Sequence, residues 1–102
     1  MDKAPVQFHR RFREYLATVS KKDGAKIYAC IDMVRSGDHS KVFIKTLRGV
    51  IRELKVKFHR LLFFSHAGTI YFVGGFRKKS VKTPKYELDY AESAYKEVKE
   101  NM

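Results

Sequence analysis

Acid is scarce in this chain. Its 102 residues carry 11 Asp and Glu against 22 Lys and Arg, a formal net charge of +11. Cysteine is scarcer still. Cys30 stands alone, which excludes an intrachain disulfide and makes the reducing cytoplasm the expected setting. That single thiol and the scattered His9, His39, His59 and His66 show no zinc-ligand spacing, so no metal and no other cofactor is expected. No apolar run approaches the roughly 18 residues a membrane span needs. The start, Met1-Asp2-Lys3-Ala4-Pro5, lacks an apolar stretch and is not expected to be a secretory signal. Repeats, low-complexity tracts and linkers are also missing, so one domain over residues 1–102 is expected.

A chain this short buries one modest core, and chemistry must sit on the surface of that core. Its 44% hydrophobic and 14% aromatic content is ample for folding. An unbalanced positive charge repels itself in a compact state and implies a polyanionic partner: nucleic acid, ribosome or an acidic membrane surface. The membrane is the poorest match, because the charges fall on expected strands and a loop rather than along one amphipathic helix. The imbalance is also uneven. Residues 1–85 hold 20 basic and 6 acidic side chains, whereas residues 86–102 hold Lys96 and Lys99 against five acids. The tail complements the body and is expected to lie across part of its basic surface.

Phe8, Phe12, Tyr15, Leu16 and Val19 recur at helical spacing and predict a first helix. Ser20 to Asp23 reads as a capping box, with the Ser20 hydroxyl on the Asp23 amide and the carboxylate reaching back. Ile27, Cys30, Ile31 and Val34 form the stripe of a second helix that stops at Gly37. Val42 to Leu47 reads as a short strand and Arg48-Gly49 as a turn. From Val50 the period becomes two, with Val50, Leu54, Val56 and Phe58 on an apolar back and Glu53, Lys55, Lys57 and His59 on a charged front. Arg60 to Ser65 and Thr69 to Phe76 are two further strands around a His66-Ala67-Gly68 turn, and Gly74-Gly75 suggests a bulge. Thr83 reads as an N-cap and Pro84 as the first turn of a last helix, whose stripe is Leu88, Ala91, Tyr95 and Val98. The expected class is α+β: two N-terminal helices, a three- to four-stranded antiparallel sheet and one C-terminal helix.

Three constellations could carry chemistry. The first is the charged front with Arg60. Cleaving RNA through its 2′-hydroxyl requires a base, a cation to stabilise charge on phosphorus and an acid for the leaving oxygen. Arg60 and Lys55 suit the cation, His59 the base or acid, and Glu53 a base or an orienting group. The same alternation also fits an ordinary solvated strand face. The second is the loop Arg77 to Lys85, where Arg77, Lys78, Lys79, Lys82 and Lys85 place five cations in nine residues. That density suits a phosphate backbone, to which Lys57 would also contribute. The third is a set of aromatics, Tyr71, Phe76, Tyr86 and Tyr90. Of these, Tyr86 could stack on a base or donate a proton. Phe63, Phe64 and Phe72 are expected in the core.

Particular strings sharpen this reading: Arg52-Glu53-Leu54-Lys55-Val56-Lys57, His59-Arg60-Leu61-Leu62-Phe63-Phe64, Gly75-Phe76-Arg77-Lys78-Lys79 and Lys82-Thr83-Pro84-Lys85. From about Pro5 onward they resemble the HigB-type branch of the RelE superfamily, most specifically in the Phe-x-Lys-Lys-x-x-Lys-Thr-Pro element. The resemblance implies the toxin of a type II toxin–antitoxin pair that enters the ribosome and cuts messenger RNA without a metal. Its implied partners are the ribosome, messenger RNA and a cognate helix-turn-helix antitoxin, with oligomers possible in the antitoxin complex. The antitoxin is expected to cover the basic face or to displace the C-terminal helix. Arg60 matches the transition-state arginine, and Lys78 and Lys79 match the basic pair. Lys55 stands where Arg is usual, keeping the charge but losing the fork. Tyr86 falls near a functional aromatic of some relatives. An initial β-strand usual in the family is not visible, and the link before His59 is short enough to demand a tight hairpin. Some superfamily members poison gyrase instead of cutting RNA, so a non-catalytic nucleic-acid- or gyrase-binding toxin is the alternative.

Overall fold

A computed structural model describes residues 3–101; Met1 and Asp2, where the leader reading begins, and Met102 lie outside them. The elements are β1 (Val6–Phe8), α1 (Arg10–Leu16), α2 (Lys21–Ser36), a 3-10 turn (His39–Lys41), β2 (Phe43–Arg48), β3 (Ile51–Val56), β4 (His59–His66), β5 (Thr69–Arg77) and α3 (Lys85–Glu100). The strands form one five-stranded sheet in the order β1-β5-β4-β3-β2. The class is α+β, with one strand more than expected. That strand, β1, runs parallel to β5 with Val6 opposite Ile70 and Phe8 opposite Phe72, which makes the sheet mixed. Three residues are too few to show a period of two. Phe8 does stack on Phe12 at 5.1 Å, but from an extended backbone, so α1 starts two residues later than the periodicity suggests.

Both faces of the sheet are covered, which is why β4 and β5 read as nearly unbroken apolar runs. On one face, Phe12, Ile27, Ile31 and Val34 from α1 and α2 meet Leu54, Val56, Leu61, Phe63 and Phe72. On the other, Ala91 and Ala94 of α3 meet Ile51, Leu62, Phe64, Tyr71 and Val73. Tyr71 is therefore a core residue, not a surface aromatic. Helix α2 begins as expected, with the Ser20 hydroxyl accepting from the Asp23 amide at 3.1 Å, and ends at Gly37 with φ 79°. The expected bulge is present: the β4–β5 register jumps from Leu62–Gly74 to Phe63–Phe72, leaving Val73 as the extra residue.

The β3–β4 hairpin overturns one expectation. Val56 pairs with His59, Lys55 with Arg60 and Glu53 with Leu62. A two-residue turn pairs odd positions with even ones, so Glu53 and Lys55 share a face with Arg60, and His59 points to the other. The four-residue charged front is thus split. Lys57 and Phe58 are the turn itself, with Lys57 at φ 54° and Phe58 61% exposed. Val50, in the turn before β3, is exposed as well, and Ile51 after it is buried on the opposite face, toward α3.

Helix α3 corrects another. Pro84 occupies the N-cap position without a side-chain cap, because the Thr83 hydroxyl donates to Glu53 Oε2 at 2.8 Å instead. The acidic tail does complement the body. Arg48 Nη1 lies 2.5 Å from Glu92 Oε1 and 3.4 Å from Asp89 Oδ1, and Arg11 Nη2 lies 3.3 Å from Glu87 Oε1. Glu87 is buried, and that burial raises its pKa against the pull of Arg11.

Candidate nucleic-acid interface

The strand pairings align side chains into rows. Phe43, Lys55, Arg60 and Phe76 face one another across β2, β3, β4 and β5, and Lys45 and Glu53 form the next row. The segment after β5 folds over this end of the sheet, adding Lys78 and Ser80 to Thr83. Together they enclose a cleft of about 300 Å³. Five cations line it, Lys45, Lys55, Arg60, Lys78 and Lys82, against one carboxylate, Glu53.

Arg60 forms the floor rather than the rim. It is 6% exposed, and its Nη1 donates to the carbonyls of Lys57 at 2.8 Å and His59 at 3.1 Å. Its Nε stands 3.8 Å from Glu53 Oε1, and the other Glu53 oxygen takes the Thr83 hydroxyl. Arg60 therefore ties the hairpin turn, the sheet and the covering loop together while keeping a positive charge beneath the cleft. Lys55 is exposed above it, with its ammonium 5.9 Å from the centre of the Phe43 ring.

The opposite face holds a second polar group that the charge pattern did not reveal. His59, 3% exposed, is bonded at both ring nitrogens: Nδ1 to the Tyr15 hydroxyl at 2.5 Å and Nε2 to Asp23 Oδ2 at 2.8 Å. Asp23 Oδ1 also takes the Lys57 ammonium at 2.9 Å. The Asp23 carboxylate thus reaches the hairpin instead of turning back to Ser20. The turn is clamped from both sides, by Asp23 through two side chains and by Arg60 through two carbonyls. A third tie runs from the Lys78 amide to the Phe58 carbonyl at 2.8 Å, so the same turn anchors the start of the basic loop. These bonds hold Lys57 in a left-handed conformation that a non-glycine residue rarely adopts.

The remaining sequence-predicted residues lie apart. Arg77 pairs with His59 across the sheet and stacks over Phe58 at 5.5 Å. It lines a smaller cleft with Tyr15, Asp23 and His59. Lys85 pairs with Asp89 at 2.8 Å on the outside of α3. Tyr86 is exposed on the first turn of α3, where it faces Arg11 at 5.9 Å beside Tyr90 at 4.5 Å. Lys79, Lys85 and Tyr86 are not among the residues lining the cationic cleft, whereas Lys78 and Lys82 are. Sequence reasoning missed Phe43 and Lys45 on β2, and Tyr15 and Asp23 behind the hairpin. An aromatic left on the exposed side of an edge strand was the available signal for Phe43. Among the described residues no three metal-ligating side chains cluster, and no helix is long and apolar enough to cross a membrane.

Hydrogen bonds from His59 first and Lys57 second hold the Asp23 carboxyl at about 2, below its ordinary 3.8. A carboxyl lowered in the fold adds stability that is fully present above the unfolded value and is lost as pH falls through the folded one. The Tm advantage of the wild type over Asp23→Asn should therefore hold above about pH 4 and shrink toward pH 2. A constant advantage down to pH 2 would show that the carboxylate charge has no part in the clamp.

Three helices packed on both faces of a five-stranded mixed sheet form a RelE-like fold. The crystal structure of the archaeal RelE–RelB complex from Pyrococcus horikoshii OT3 matches with a TM-score of 0.65 at 12% identity, over 74% of this chain and 96% of that one. The RelB–RelE antitoxin–toxin complex from Methanococcus jannaschii matches with 0.62 at 20% identity, over 81% and 95%. At these identities the likeness is one of fold. No curated protein matches the sequence. Residues 14–96 match the model of the family described as Phage derived protein Gp49-like (DUF891), and the chain belongs to that family.

Proposed function

We propose that residues 1–102 form a single toxin domain of a type II toxin–antitoxin pair, a ribosome-dependent messenger-RNA endonuclease close to the HigB-type branch. The observation that carries this reading is the cleft itself: five cations around one carboxylate that is already bonded to Thr83 and Arg60. A cleft of that charge takes a phosphodiester. In this reading Lys55, exposed over Arg60, meets the scissile phosphate and stabilises the charge that grows on it when the 2′-hydroxyl attacks. Lys78 and Lys82 hold the flanking backbone. The fold shared with RelE–RelB complexes supports an antitoxin as partner, with helix-turn-helix type and cytoplasmic action as parts of the same proposal.

Induced expression should arrest growth, with primer extension showing cuts inside translated messages. Lys55→Ala should lower cleavage by about 10²-fold or more and shift stability by less than about 0.5 kcal/mol, as expected for an exposed side chain. Unchanged cleavage in that variant would remove Lys55 from the chemistry. A second reading, a non-catalytic toxin that binds nucleic acid or gyrase, is favoured by one observation. No histidine lines the cleft, and its single carboxylate is engaged. Arrested cells with intact messages would support it, and a DNA-damage response without RNA cuts would point to gyrase.

A further inference from the structure

Two side chains of the cleft have no place in a purely ionic site. Phe43, on β2, is 74% exposed, and Val81, in the covering segment, is 90% exposed. They come from different walls of the same cleft. Both are apolar, and neither belongs to a core cluster. An exposed aromatic on an edge strand invites aggregation, a liability that proteins ordinarily avoid. Here the ring stands beside the Lys55 ammonium, in the same cross-strand row as Arg60 and Phe76.

We propose that Phe43 and Val81 form a slot for one unstacked nucleobase of a single-stranded RNA, whose adjoining phosphates lie on Lys45, Lys55, Lys78 and Lys82. The inference rests on the cleft being a nucleic-acid site, and it specifies the class of substrate. A base offers a flat apolar face, and a phenyl ring stacks on it whatever its sequence. Its phosphates sit within a few ångströms and need the cations that surround the ring. Neither feature alone selects a ligand; together they select a nucleotide whose base is free. A duplex buries its base faces and would offer only phosphates. The cleft's volume of about 300 Å³ lies at the small end of ligand pockets, in keeping with one inserted nucleotide.

Fluorescence anisotropy and 2-aminopurine emission with a ten-nucleotide single-stranded RNA would test this. The wild type should quench the 2-aminopurine and prefer the single strand to its duplex. Phe43→Ala should bind about tenfold more weakly, the range of aromatic–base stacking, and lose the quenching. Its dependence of log affinity on log salt should not change. Phe43→Trp should keep both affinity and quenching, and Val81→Ser should weaken the quenching. By contrast, Lys55→Ala should flatten the salt dependence by about 0.7, one phosphate contact on a single strand. Wild-type affinity and quenching in Phe43→Ala would overturn the slot and leave the phosphate site standing, as would equal binding of the duplex. A single-stranded DNA of the same sequence bound more tightly than the RNA would overturn the assignment to RNA. No binding of any nucleic acid by the wild type, either alone or in the presence of ribosomes, would overturn both the slot and the reading beneath it.

Discussion

Arg60→Ala should lose the proposed toxic activity and also lose about 3–5 kcal/mol of stability, the range for breaking a buried ion pair from one side. The guanidinium is nearly fully buried and donates to two backbone carbonyls of the hairpin, beside a buried carboxylate. Alanine would leave Glu53 with only the Thr83 hydroxyl and would release the turn. A domain of this size has only about 5–15 kcal/mol in total, so Tm should fall by roughly 10–30 °C. Inactivity of this variant therefore says little about chemistry on its own. The informative partner is Glu53→Gln/Arg60→Ala, in which no buried charge is stranded. It should be more stable than the two single losses added together, by about 1–3 kcal/mol, and still inactive. Strict additivity would mean that Glu53 and Arg60 do not feel each other. A double variant restored in stability and active would remove Arg60 from the reaction.

How much of this was legible beforehand depended on whether a signal was local. The two N-terminal helices, the capping of α2 by Ser20, the stop at Gly37 and the three long strands all follow from periodicity and turn chemistry, and all are present. The first strand was not, because three residues carry no period and its pairing with β5 is long-range. The split of the charged front was a problem of register. Extending one alternation from Val50 through His59 ignored the two-residue turn, which reverses the sense of odd and even. Counting from the turn would have put Lys55 with Arg60 and separated His59 from both. Thr83 was a sound N-cap by its sequence position, yet the fold placed a buried carboxylate within its reach and that bond won.

The same pairing explains how a small domain sets its cationic face. The cleft's charges sit on an open sheet end that would repel itself. What opposes the repulsion is gathered at the turn: Lys57 and His59 drawn back to Asp23, Arg60 drawn in to the turn carbonyls, and the Lys78 amide on the Phe58 carbonyl. Polar groups on the far face therefore position the near one, through four residues of backbone. Tyr15 belongs to that arrangement, and it lies directly across β5.

Gly75→Ala should accordingly be among the most damaging single-methyl additions in the chain, destabilising by about 2–4 kcal/mol. A Cβ built at Gly75 would stand 2.6 Å from Tyr15 Cδ2, 3.0 Å from Cγ and 3.3 Å from Cβ. Turning the ring about its Cβ–Cγ bond moves Cδ2 but leaves Cγ and Cβ where they are, so it relieves the contact only in part. Overpacking of this kind costs about 1–3 kcal/mol. The shift also pulls the hydroxyl from His59 Nδ1, leaving one side of a buried imidazole unpaired, for about another 1 kcal/mol. Gly74→Ala is the control, because its nearest neighbours would lie at 4.0 Å. It should change stability by less than about 1 kcal/mol. Tyr15→Phe should show the hydrogen-bond part alone. Adding Tyr15→Ala to Gly75→Ala should cost less than the two single losses summed, since the clash is gone. Urea midpoints for the set would decide the matter: a Gly75→Ala protein as stable as Gly74→Ala would mean that the Tyr15 ring does not rest on the strand, and the far-face clamp on the hairpin would lose its first link.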